Sequence, residues 1–305
     1  LKKTALRLAF RGVAELGSFV GGNLAGTLFF YCAVYDYSMP ELPEVQMVVD
    51  TLGPAIVGRK MVRVDLRRAD ILLPEGFDLI RQLTGAIISR LQRRGKRIVF
   101  RLADGNQFYI HLGMTGRLTM EPPDSPLLPH THLVIDLGSN LQMRFRDPRR
   151  FGGIWWLGSD PSDANMGPEP LTLRASDFAK RLSKTTRAIK NILLDQSVIA
   201  GLGNIYVDES LFKAGIHPLS AGDKLSNQQI ATLNRAIKFT LKKAIKHRGS
   251  TLRDYFDANG NPGGFQKLHS VYDRADLPCR KCKTPIERFV LGGRSTHFCP
   301  HCQPA

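Results

Sequence analysis

Cys279, Cys282, Cys299 and Cys302 stand as two Cys-x2-Cys pairs separated by sixteen residues. Two thiolate pairs on tight knuckles form a soft, tetrahedral donor set with no open position, which suits one structural Zn2+ and leaves the metal nothing to catalyse. A module this small does not fold without its metal. Arg294 and His297 fall on the hairpin predicted between the pairs, either solvated or presented to a ligand, and His301 between the last two cysteines reads as a bystander. Cys32 lies far away, so the pattern indicates a metal site in a reducing compartment and not a disulfide framework. A second stretch with chemical meaning is "MPELPEV" at 39–45. Met-Pro followed at once by an acid is how a chain begins and is odd in an interior. Met39 is therefore the expected start of the folded protein, and residues 1–38 an extension.

That extension carries Lys2, Lys3, Arg7 and Arg11, then a mixed apolar run from Leu16 to Val34 broken by Gly17, Gly21, Gly22, Asn23 and Gly26. It reads as upstream sequence, with a poor targeting segment as the alternative. The whole chain of 305 residues is long enough for two domains with proper cores. Its 43 Lys and Arg against 27 Asp and Glu give a net charge of +16. An excess of this size points to a polyanionic partner, most simply nucleic acid, because phosphate contacts release counterions.

Pro43 and Glu44 suit the first turn of a helix that runs through "VQMVVDTLGPAIVG". Short β-type runs follow in "KMVRVDLR", "GAIISRLQRR", "KRIVFRLAD", "NQFYIHLGM", "THLVIDLG" and "LQMRFRD", several alternating apolar and polar residues. These predict an antiparallel sandwich or barrel. Residues 121–129, "EPPDSPLLP", predict a surface loop, and the Gly/Pro/Asp-rich "GSDPSDANMGPEPL" predicts a domain boundary near 160–170. Beyond it the period is helical in "SDFAKRLSK", "RAIKNILLDQ", "NIYVDESLFKAG" and "NQQIATLNRAIKFTLKKAIKHRG", while 250–268 is too glycine-rich to be regular.

Four stretches in order, "PELPEV", "HLGM" at 111–114, "DPRRFGG" at 147–153 and "GLGNIYVDESLFKAGIHP" at 201–218, precede the four cysteines. Together they closely resemble the formamidopyrimidine-DNA glycosylases of the Fpg/Nei family, from Met39 to Cys302. The resemblance implies a bilobal α+β fold: an N-terminal β-sandwich with flanking helices, then a C-terminal helix-two-turn-helix domain with a four-cysteine zinc finger. The implied domains are an extension at 1–38, a catalytic sandwich at 40–160, a DNA-binding domain at 170–265 and a finger at 270–303. It further implies a bacterial, cytoplasmic and nucleoid-associated monomer acting on damaged double-stranded DNA, with no membrane partner. The activity implied is removal of 8-oxoguanine and formamidopyrimidines, followed by cleavage of the abasic site by β,δ-elimination.

In that family the nucleophile is the amine of an N-terminal proline, matched by Pro40. A secondary amine attacking C1′ gives an iminium that is cationic without a proton, and this electron sink drives elimination. In an amide the same nitrogen is not nucleophilic. Glu41 matches the general acid; Glu44, one turn on, either supports it or is ordinary first-turn charge. Lys96 alone reads as a surface lysine, and the resemblance gives it the scissile phosphate. Arg294 matches a finger arginine that clamps phosphate. Met114, Arg149 and Phe151 match the side chains that fill the gap left by an everted base, and their turns favour exposed tips over core. His111, His130 and Asn204 match phosphate contacts, with Tyr272, His132 and Lys190 as weaker candidates and Ser250 opening the loop over the base. "SKTTRAIK" at 183–190 departs from the family's denser lysine run. Two other readings are an endonuclease VIII-type pyrimidine enzyme and a homologue that binds damage with Pro40 blocked. "PELPEV" and the Met114, Arg149 and Phe151 set favour the purine enzyme.

Overall fold

Pro43 fixes a helical backbone angle in the first turn, where no intrahelical N–H is needed, and α1 runs from Leu42 to Ile56. The computed structural model describes residues 39–159 and 165–305. The 1–38 extension with Cys32, and the 160–164 part of the expected boundary, lie outside the described residues.

Eleven strands are present among the described residues. In the first lobe β1 (Arg63–Leu66), β7 (Thr131–Asp136), β8 (Gln142–Arg146) and β6 (Arg117–Glu121) form one antiparallel sheet in that spatial order. The second sheet has the order β2 (Leu72–Leu73), β9 (Gly153–Gly158), β5 (Gln107–His111), β4 (Arg97–Leu102) and β3 (Ile88–Arg94). It is antiparallel apart from the parallel β2–β9 pair. The strands bury one face, so Ile98, Phe100, Phe108, Ile110 and Ile154 meet Leu118, Leu133, Ile135 and Phe145 in one core. A short helix, α2 (Leu79–Leu83), closes the side. The sandwich expectation holds. β6 and β9 were not anticipated: "RLTME" adjoins the proline-rich loop, and "GIWWLG" lacks a clear alternation.

Residues 122–129 form a loop, one residue shorter than expected because Glu121 ends β6, and Arg144 holds it. Prolines offer no N–H to pair with a strand, and the buried Arg144 guanidinium instead donates to the carbonyls of Pro122, Pro123, Ser125 and Pro126 at 3.1–3.3 Å.

The second lobe is helical, with α3 (Ala175–Leu182), α4 (Ile189–Leu194), α5 (Asn204–Ala214) and α6 (Asn227–Lys246). Ser226 and Gln229 form a capping box that starts α6, and Gly215 ends α5 in the left-handed region. The finger hairpin pairs β10 (Glu287–Leu291) with β11 (Arg294–Phe298). Residues 250–268 are irregular apart from a turn of 3-10 helix at Phe265–Leu268.

The lobes exchange residues. Leu42, from α1, belongs to the helical core with Leu202, Ile205 and Tyr206, while Tyr255 and Ala258 belong to the sandwich core. The Leu42 N–H donates to the Gly201 carbonyl at 3.0 Å, and Gly201 (φ +86°) leaves no room for a Cβ against the Leu42 side chain. Leu42→Ala opens a cavity at this junction, and such truncations cost about 2–5 kcal/mol. The expected result is a lower urea midpoint, with faster hydrogen exchange in α5 than in β7 and β8. Equal acceleration in both lobes would show that Leu42 is ordinary core.

Candidate active site and nucleic-acid interface

Pro40 immediately precedes Glu41, the N-cap of α1. Glu41 directs its carboxylate across the junction and caps a different helix. It accepts from the N–H groups of Gly203 (2.8 Å), Ile205 (2.9 Å) and Tyr206 (3.4 Å) at the start of α5. An anion at a helix N-terminus meets unsatisfied donors and a favourable dipole. Gly203 is required here, because any Cβ would collide with the Glu41 carboxylate. Glu41 is only 3% exposed, and burial pushes its carboxyl up to about 7, with the nearby Glu44 adding to the rise and Lys96 and the α5 amides opposing it.

Glu44 makes the matching connection. Its carboxylate accepts from its own helix start at Glu41 (2.9 Å), from the Ser250 N–H (2.7 Å) and from the Tyr206 hydroxyl. Burial raises its carboxyl too and holds the Tyr206 phenol far above the ordinary range. Ser250 continues the chain to His269 Nε2 at 3.1 Å. Glu44 thus joins both lobes and the start of the 250–268 segment.

Lys96 follows Gly95 in the turn between β3 and β4. Glu169 sets that turn by accepting from the Gly95 N–H (2.7 Å), Arg93 (2.6 Å) and Arg94 (3.2 Å). Lys96 is half-buried, and desolvation lowers its ammonium, with Glu41 opposing and Arg294 reinforcing the drop. Glu41, Lys96 and Arg294 therefore share one electrostatic neighbourhood although they come from a helix start, a β-turn and the finger. Burial and the charges of Lys96 and Arg97 bring His111 down to about 4. Its Nδ1 accepts from the Gly113 N–H at 3.0 Å, which leaves the neutral ring's proton on Nε2.

Met114 sits between β5 and β6; Arg149 and Phe151 sit between β8 and β9. These loops meet backbone to backbone, and a Cβ on Gly113 would collide with Phe151 and Gly152. Phe151 is 55% exposed with the Arg149 guanidinium 4.8 Å above its ring, and Met114 is half-buried. Asp147 fastens the loops by accepting from Thr115 Oγ1 (2.5 Å) and the Gly152 N–H (2.7 Å). His130 is exposed on the neighbouring turn, its carbonyl accepting from the Asp147 N–H at 3.0 Å.

Asn204 is the first residue of α5, and its side-chain amide donates to the Ser295 carbonyl (3.0 Å) beside Arg294. The same carbonyl accepts from Lys190 Nζ at 2.6 Å. Lys190 is completely buried and also pairs with Asp208 at 2.7 Å, while Asp208 accepts from the His297 N–H. Lys190, Asn204 and Asp208 thus dock the finger hairpin on α5. His132 is buried with Nε2 2.8 Å from the Asp147 carbonyl, and Tyr272 is 1% exposed with its ring between His269 and His297. None of Lys190, His132 and Tyr272 offers a surface to a ligand in this structure. Tyr206, Asp147, Asp208 and Glu169 were missed as positioning groups; Tyr206, Asp147 and Asp208 lie inside the quoted motifs, and only their setting distinguishes them.

The sulfur atoms of Cys279, Cys282, Cys299 and Cys302 lie within 4.8 Å of one another. The Lys281 and Cys302 N–H groups approach Cys279 and Cys299 Sγ at 3.4 Å, the knuckle arrangement that favours thiolates. Four converging thiols with no fifth donor fit one structural Zn2+. His301 is exposed and outside the set. No helix among the described residues is long and apolar enough to cross a membrane.

Three family profiles match the chain: formamidopyrimidine-DNA glycosylase N-terminal domain at 39–154, formamidopyrimidine-DNA glycosylase H2TH domain at 166–255, and the zinc finger found in FPG and IleRS at 276–305. Formamidopyrimidine-DNA glycosylase of Roseiflexus sp. is 43% identical over 274 residues, and that of Geobacter sulfurreducens 41% over 271. Each alignment covers 87% of this chain and 100% of the relative. The Lactococcus lactis Fpg in complex with abasic-site DNA superposes with a TM-score of 0.82 at 35% identity, over 87% of this chain and 100% of that one. A complex of the wild-type Lactococcus lactis protein with DNA containing N7-benzyl-Fapy-dG gives 0.82 at 36% identity.

Proposed function

The chain belongs to the formamidopyrimidine-DNA glycosylase family, and from that premise we propose that it excises oxidised purines from duplex DNA through a Schiff base on Pro40, then cleaves the abasic strand. The observation that carries the reading is the Glu41 carboxyl, next to Pro40, buried and raised to about 7, with Lys96 and Arg294 in the same electrostatic field. A group titrating near neutrality serves as a proton donor.

Pro40 attacks C1′ of the damaged nucleotide as the base leaves; Glu41 delivers its proton to the opening sugar. The lone pair needed for attack exists only when Pro40 is the first residue, since in a longer chain it is delocalised into the Met39 carbonyl. Lys96 and Arg294 neutralise the phosphates flanking the iminium, and Arg294 acts by charge and hydrogen bonding because a guanidinium holds its proton. His111 and His130 take the phosphates of the strand, the buried Asn204 acts by seating the hairpin that carries Arg294, and Met114, Arg149 and Phe151 fill the vacated stack. Arg149 donates to the orphaned base and the other two supply bulk. The zinc serves as a structural clamp for the hairpin bearing Arg294. A cytoplasmic, nucleoid-associated setting is supported by the substrate and by the bacterial origin of the relatives.

The lesion range is tested with the form that begins at Pro40, on duplexes differing only in the damaged base. The expected result is faster excision of 8-oxoguanine opposite cytosine than of thymine glycol; the reverse order would move the chain to the pyrimidine branch.

The pH profile follows from the direction of the Glu41 shift. A raised carboxyl keeps its proton up to about pH 7, so single-turnover excision falls as pH rises through that value. Glu41→Gln is expected to excise slowly and to lack the falling limb. An unchanged falling limb in that variant would remove Glu41 as the proton donor.

A further inference from the structure

Phe239 is 51% exposed on α6, and the Lys213 ammonium sits 3.7 Å from the centre of its ring. Beside it lies a cavity of about 140 Å³, walled by Phe212, Phe239, Phe265 and Leu268 and flanked by Lys213 and Lys243. Glu209, Thr240 and Ser270 complete the lining. The Glu209 carboxylate is buried and turned to the N–H groups of Ser270, Val271 and Tyr272 at 2.8–3.0 Å, so the open rim is cationic. Lys242 and Lys243 lie three and four residues beyond Phe239 on α6, and Lys246 lies a further turn on, which extends the positive rim along the helix. The result is a pocket with phenylalanine and leucine walls and a few polar groups, set in a basic face.

We propose that this pocket is a docking site for an acidic peptide segment of a partner protein, which inserts one aromatic side chain and places its carboxylates on Lys213, Lys243 and the Lys242 and Lys246 row. Size is the first argument: a dry apolar cavity of roughly 150 Å³ accepts a benzene ring. Charge is the second, because an apolar floor under a lysine rim complements a hydrophobic anchor flanked by carboxylates, and a chain of net charge +16 draws such a segment in. The nature of the floor is the third. A phenylalanine side chain has no polar edge to desolvate against the Phe212, Phe239, Phe265 and Leu268 walls, whereas a nucleotide base must pair its whole polar edge with the few polar groups of the lining. Position is the fourth. Lys213 lies nine residues after Asn204, about 13 Å along the axis of α5 at 1.5 Å per residue. A peptide here leaves the N-terminal end of α5, where Glu41 and Asn204 act, open to DNA. Aromatic anchors in such pockets carry most of the binding energy of a peptide interface.

The probe is a fluorescein-labelled peptide with one phenylalanine flanked on each side by three aspartates, titrated by anisotropy at physiological ionic strength. Controls replace its phenylalanine with alanine or its aspartates with asparagines, and a labelled oligothymidylate represents nucleic acid. The expected result is saturable binding that weakens at least about tenfold, or 1.4 kcal/mol, for either altered peptide and for the Phe239→Ala and Lys243→Glu proteins. Both substitutions lie on the surface, so circular dichroism and 8-oxoguanine excision by the Pro40-initiated forms should be unchanged. Binding should also survive saturation of the protein with duplex DNA. The proposal is overturned if the alanine peptide binds equally well, if Phe239→Ala has no effect, or if duplex DNA displaces the peptide. Tighter, Phe239-dependent binding of the oligothymidylate would reassign the pocket to single-stranded nucleic acid.

Discussion

The Glu41 carboxylate, buried between the start of α1 and the start of α5, is the interaction on which the remainder of the site depends. Hydrogen bonds to an ionised group contribute about 1.5–3 kcal/mol each, and Glu41 accepts from three amides of the opposite lobe. Yet burial dominates its titration and moves it up to about 7. Two demands therefore meet in one group. As an anion it ties α1 to α5; as an acid it holds a proton where the proposed chemistry consumes one. Sites that perform acid catalysis at neutral pH commonly accept such a conflict.

The other charged groups are arranged around that junction by further carboxylates. Glu169 sets the β3–β4 turn that carries Lys96, Glu44 connects α1 with Tyr206 and Ser250, and Asp208 with Lys190 seats the hairpin that carries Arg294. Asp147 does the same for the two loops that present Met114, Arg149 and Phe151. Each acid spends its lone pairs on backbone N–H groups, a hydroxyl or a paired cation, so each fixes local structure as well as a charge.

Much of this was legible in the residues. The cysteine spacing predicted a four-thiol cluster, and period-3.6 patterning predicted α5 and α6, because local rules govern both. The strands that alternate, such as β4, β5 and β7, were legible for the same reason. β2 has only two residues, and β9 carries adjacent tryptophans on opposite faces, Trp155 on Tyr109 and Trp156 on Phe77. Neither leaves a period to read. The cross-lobe role of Glu41 was hidden because an acid bound to amides 162–165 positions away has no local signature. Lys190 misled in the opposite sense. In a basic segment it reads as a phosphate contact, but it is buried because Asp208, on another helix, requires a counter-charge.

The central claim is that Pro40 supplies the nucleophile and that Glu41 protonates the sugar beside it. Borohydride reduces an iminium to a stable amine, so protein mixed with 8-oxoguanine duplex and borohydride reports the covalent intermediate directly. The form beginning at Pro40 should be trapped on the DNA, and a verified, unprocessed chain in which Met39 still precedes Pro40 should bind without being trapped. Equal trapping of both forms would contradict the account and turn attention to a lysine, with Lys96 the first to be tested.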